Sequence, residues 1–118
     1  MTGRDDADRL LEVITVDCYN VSEQMTAFYE VFAQEVTLPT TATVVSATVR
    51  VLGIDIAEQG EELTARCQRA KVVQDLRLSE LVFAPDAAAA WIHAAYRRRL
   101  GLRVHPTTMP AGWGPSWL

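Results

Sequence analysis

The 118-residue chain has no apolar run near the roughly 18–20 residues needed to cross a bilayer. Its longest candidate, around Ala87–Tyr96, is short and interrupted by His93. The first nine residues carry Asp5, Asp6 and Asp8, not the positive start and apolar stretch of a secretory leader. His93 and His105 are the only histidines, and neither has a Cys or His partner at a zinc-like spacing. No Gly-x-Ser-x-Gly nucleophile turn, no phosphate-cradling glycine loop and no internal repeat occurs. These absences leave no self-contained catalytic site. The expectation is a cytoplasmic domain that works by binding and is not an enzyme.

What the chain does have is a core. Hydrophobic residues make up 49% of it, enough for one domain and too many for a disordered chain. Cys18 and Cys67 each continue an alternating apolar row. They read as buried free thiols in a reducing compartment, with a disulfide as the alternative. The charge is uneven. Residues 1–62 hold 12 acidic and 3 basic groups, and residues 63–118 hold 3 acidic and 8 basic groups. That asymmetry points to a charged partner or ion unless the halves interleave in space.

The pattern predicts a flexible acidic N-terminus over 1–11, a single α+β domain over 12–101 and a Pro/Gly/Trp tail over 102–118. Ile14, Val16 and Cys18 alternate as in a strand. Asn20 and Glu23 have capping-box spacing, and Val21, Met25, Phe28, Phe32 and Val36 recur as one buried helical stripe. Val45, Ala47, Val49 and Val51 alternate, with a bend near Ser46 and an end at Gly53. An acidic loop over 54–62 follows. Strands at 63–67 and 72–78 flank a turn at 68–71, and 78–81 reads as a short turn. A last helix opens near Pro85 and Asp86 and closes on Arg97, Arg98, Arg99 and Gly101. On this helix His93 falls on the face of Asp86 and Arg97, which reads as solvated. The architecture expected is a small, strongly bent antiparallel sheet or SH3-like barrel, with an N-terminal strand-helix unit and a C-terminal helix.

Two segments resemble the small prokaryotic calcium-binding proteins of the cyanobacterial CcbP type. One is Val16-Asp17-Cys18-Tyr19 with the helix holding Phe28-Tyr29 and ending at Leu38-Pro39-Thr40-Thr41-Ala42. The other is Val49-Arg50-Val51-Leu52-Gly53, the acidic loop and Leu76-Arg77-Leu78-Ser79-Glu80-Leu81. Together they span residues 12–100. The resemblance implies an acidic protein that takes up calcium through surface carboxylates. The chain departs from that pattern in its basic second half and in the sequence around Pro39.

Asp55, Glu58, Glu61 and Glu62 place four carboxylates within eight residues, and calcium takes about 6–8 oxygen ligands. The spacing is not that of an EF-hand. The alternative is a solvated loop that keeps the protein soluble. Asp17 and Glu23 form a second cation candidate beside the helix start, or simply orient that turn. Arg97, Arg98, Arg99 and Arg103 form a basic cluster, but an isoelectric point near 5.1 disfavours nucleic acid. Trp113 and Trp117 lie among Pro and Gly, where they either fold back or dock on a partner protein. Two functions follow: calcium binding, or a metal-independent adaptor or accessory subunit docking through the tryptophan tail or a sheet edge.

Overall fold

The computed structural model describes residues 3–107. Three helices and a four-stranded antiparallel sheet run in the order α1 (Gly3–Ile14), α2 (Val21–Glu35), β1 (Thr40–Val44), β2 (Ala47–Ile56), β3 (Leu63–Arg69), β4 (Val72–Arg77) and α3 (Ala88–Arg99). A single 3₁₀ turn, Leu78–Glu80, follows β4. The class is α+β, as expected. The sheet is an open meander in the order β1-β2-β3-β4 and does not close into a barrel. No helix among the described residues is long and apolar enough to cross a membrane.

The N-terminal strand of the expected strand-helix unit is instead the end of a helix. Ala7, Leu10 and Ile14 lie three and four residues apart, so they share one face of α1, and all three are buried. The alternation of Ile14, Val16 and Cys18 is local and short, and Val16 is 73% exposed in the turn after α1. The boundary expected at residue 12 therefore falls inside α1. Arg98 Nε lies 3.1 Å from Asp8 Oδ1, which ties α1 to α3.

Asn20 caps α2 by accepting from the Glu23 N–H at 2.8 Å. The reciprocal bond reaches one residue further back than a capping box requires: Glu23 Oε1 accepts from the Tyr19 N–H at 2.6 Å. Met25, Phe28 and Phe32 are the buried stripe, whereas Val21 is exposed.

In the sheet, Ala42↔Val49, Val51↔Cys67 and Ala65↔Leu76 pair across neighbouring strands. Side chains alternate along a strand, so these residues form the inner face, which the helices cover. A register shift between Val51 and Gly53 carries β2 past the expected stop at Gly53 and on to Ile56. The loop is correspondingly shorter, Ala57 to Glu62. Ser46 marks no bend within a strand. Val45 and Ser46 form a two-residue turn with φ of 47° and 68°, and Val45 is 95% exposed rather than on the inner row.

Every residue of α3 from Ala89 to Tyr96 is buried. A helix apolar all round belongs at the centre of a domain, and α3 lies among α1, α2 and the sheet. Phe28 meets Tyr96 edge-on at 5.5 Å, and the Tyr96 hydroxyl accepts from the Leu63 N–H at 2.8 Å. His93 is not solvated but 2% exposed. Its Nε2–H donates to the Leu78 carbonyl at 2.8 Å, which satisfies the ring inside the core.

The helix ends as its sequence foretells. Gly101 has φ 75°, its N–H donates to the Arg98 carbonyl, and the Leu102 N–H donates to the Arg97 carbonyl at 2.9 Å. The next residues return along α3: Arg97 Nε donates to the Arg103 carbonyl at 2.6 Å, and His105 stacks on His93 at 6.0 Å. Trp113 and Trp117 lie outside the described residues.

Candidate functional site

The β2–β3 loop is held by two backbone bonds. The Ala57 N–H donates to the Glu62 carbonyl and the Gly60 N–H to the Ala57 carbonyl, each at 2.8 Å. Gly60 takes the left-handed φ of 73° that this tight turn needs. A Cβ on Gly60 would stand 3.5 Å from Ser22 Oγ in the first turn of α2. The loop with Glu58, Glu61 and Glu62 therefore lies against the start of α2, where Asp17 and Glu23 also stand. Sequence separation hid this meeting of the two candidate clusters, and only the approach of Gly60 to Ser22 discloses it.

Several of the six carboxylates already have work. Glu23 caps the helix. Asp55 belongs to β2 rather than to the loop, and its Oδ1 accepts from the Ile56 N–H at 2.8 Å. Its partner across the ladder is Thr64, and it lines a shallow depression on the outer face with Arg66 and Asp75, themselves 3.3 Å apart. Glu62 lies 3.6 Å from Arg77 Nε. The carboxylates of Asp17, Glu58 and Glu61 are exposed and make no hydrogen bond or ion pair with other described residues. Among the described residues, no three acidic, His or Cys side chains stand close enough together to hold a metal ion. The geometry offers hard oxygen donors along one end of the molecule without a preassembled cage.

Cys18 sits in the α1–α2 turn, half-buried rather than fully buried, and its Sγ–H donates weakly to the Glu23 carbonyl at 3.5 Å. Burial, then the Glu23 and Asp17 carboxylates, push its thiol pKa up. This marks the negative field at this end. Cys67 is buried in β3, and both cysteines are free thiols.

The overall fold is similar to that of a solved structure. The crystal structure of Anabaena CcbP superposes with a TM-score of 0.62, over 87% of this chain and 96% of that one, at 17% sequence identity. The chain has the CcbP fold. No family model matches the sequence, and neither does any curated protein. The likeness to CcbP is thus one of architecture, carried by helix and strand order more than by residue identity.

The basic cluster has internal work as well. Arg97 donates to the carbonyls of Ser79 and Arg103, Arg98 meets Asp8, and Arg99 donates to Gln24. These side chains fasten α3 to its neighbours.

Proposed function

We propose that this protein is a cytoplasmic calcium-binding protein and not an enzyme, taking the ion through carboxylates of the β2–β3 loop and the α1–α2 turn. The observation that carries this reading is the seating of Gly60 against Ser22, which brings Glu58, Glu61 and Glu62 to the end of the molecule that holds Asp17 and Glu23. The resemblance of the sequence to CcbP-type calcium-binding proteins and the fold shared with CcbP support it. Calcium suits exposed, adaptable oxygen donors, and magnesium demands a tighter octahedral site. Because the donors must converge on binding, the expected dissociation constant is on the order of 10⁻⁵–10⁻³ M, at the weak end of protein calcium sites.

The test is calorimetry and thermal melting with calcium and with magnesium, on the wild type, on E61Q with E62Q, and on D17N with E23Q. At a hundredfold excess over its dissociation constant, calcium should stabilise the fold by about 2.7 kcal/mol. Both double variants should bind more weakly. Absence of heat and of any melting shift at millimolar calcium would sink the reading. The metal-independent adaptor would then lead, supported by the exposed edge strand β4, where Val72 and Val73 meet solvent.

A further inference from the structure

The opposite end of the sheet holds a cavity of about 110 Å³. The β1–β2 and β3–β4 turns both lie at this end, because the meander reverses there twice. All four strands contribute to the cavity walls. Val49 and Cys67 form its buried side, Val44 and Leu76 are half-buried, and Val72 and Arg69 stand at its exposed side. Arg69 belongs to the same inner row as Leu63, Ala65 and Cys67, since alternate residues share a face. It is the one charged residue in the lining. Its guanidinium makes no ion pair or hydrogen bond with other described residues.

The electrostatic setting is one-sided. No Asp or Glu occurs from Val36 to Ile54 or from Leu63 to Gln74, while Arg50, Arg69 and Lys71 all fall within these stretches. The carboxylates of the loop at 57–62 stand at the far end of the strands. An apolar recess beside an uncommitted cation selects a ligand with an apolar tail and an anionic head. Cavities of roughly 150 Å³ lined by apolar side chains take up benzene, so this one, at about 110 Å³, fits an aliphatic group of about four carbons.

We propose that the cavity binds a short aliphatic carboxylate, its tail against Val49, Cys67 and Leu76 and its carboxylate on Arg69. Arg suits the head because its planar fork donates two parallel hydrogen bonds to a carboxylate. This site is independent of the calcium reading, being at the other end of the sheet.

The experiment is a methyl NMR titration of the full chain with valerate, pentylamine and acetate. Valerate should shift the methyls of Val44, Val49, Val72 and Leu76 saturably, with half-saturation on the order of millimolar, as expected for a few buried methylene groups. Acetate lacks the tail and pentylamine carries the wrong charge, so neither should shift them comparably. Arg69→Gln, an exposed change that leaves the core intact, should weaken valerate about tenfold, the effect of losing one charge-assisted hydrogen bond. Ala47→Leu, which fills the cavity from β2, should abolish the shifts. No saturable shift with valerate would overturn the proposal. So would equal shifts with pentylamine, or unchanged affinity in Arg69→Gln.

Discussion

His93 makes the fold sensitive to acid at a single residue. Burial pulls its pKa from 6.5 down to about 4, with Arg97 and His105 adding to the fall and the Leu78 carbonyl opposing it. The unfolded chain therefore binds the proton more readily than the folded one between those values. Stability is full above pH 6.5, falls as pH drops, and has lost about 3 kcal/mol by pH 4, since each pKa unit is worth about 1.36 kcal/mol. Denaturant melts between pH 4 and 7 should show this slope. His93→Gln, which keeps a donor for Leu78, should flatten most of it. His105 contributes with the same sign, because burial, Arg97 and Arg103 lower its pKa too. At the same scale, Val45 is a β-branched residue held at φ 47°. Such a residue is strained in the left-handed region, and a two-residue turn with both φ positive favours Asn-Gly. Val45→Asn with Ser46→Gly should stabilise the protein by about 1–2 kcal/mol, read as a rise of several degrees in the melting midpoint.

Among the elements, those with long periodic patterns were legible in the sequence. Helix α2 could be read from its cap and its Met25-Phe28-Phe32 stripe, strand β3 from its alternation, β4 as its partner across a turn, and the end of α3 from Arg97 to Gly101. Helix α1 was not, because its buried face begins at Ala7 within an acidic segment that reads as a frayed end. The alternation of Ile14, Val16 and Cys18 then imitated a strand. His93 was misread for a related reason. Periodicity assigns one face of α3 to solvent, but a helix packed on all sides has no such face. Of the candidate site, the residue types were visible but the nearness of the loop to the start of α2 was not, because it depends on a turn at Gly60 meeting a helix at Ser22. The position of α1 has a direct test. Leu10 is 1% exposed, so Leu10→Ala should cost about 3 kcal/mol, as for other buried leucines, measured by denaturant unfolding. A change under about 0.5 kcal/mol, typical of surface sites, would mean that α1 does not pack on α3.

Across the whole molecule, the uneven charge of the sequence becomes a polarity along the strands. The loop at 57–62 and the turn before α2 gather carboxylates at one end, and Arg69 and Lys71 stand at the acid-free β3–β4 turn at the other. The halves of the chain interleave in part, since Glu62 meets Arg77 and Asp8 meets Arg98. A divalent cation and a small anion would be drawn to opposite poles, and added salt should weaken both attractions because the groups are exposed.

Helix α3 has a consequence for how the chain is made. It is the last of the described helices in the order of synthesis, yet Met25, Phe28, Leu63 and Ala65 all depend on the core that Trp91, Ile92 and Tyr96 complete. A nascent chain ending before Ala88 would leave the inner sheet face and the α2 stripe only partly covered. The domain should therefore acquire its cooperative structure only after nearly all of it has left the ribosome, and a chain truncated at Ala87 should show no sigmoidal unfolding transition in a denaturant melt. Until α3 arrives, the growing polypeptide is a natural client for chaperones that shield apolar surface.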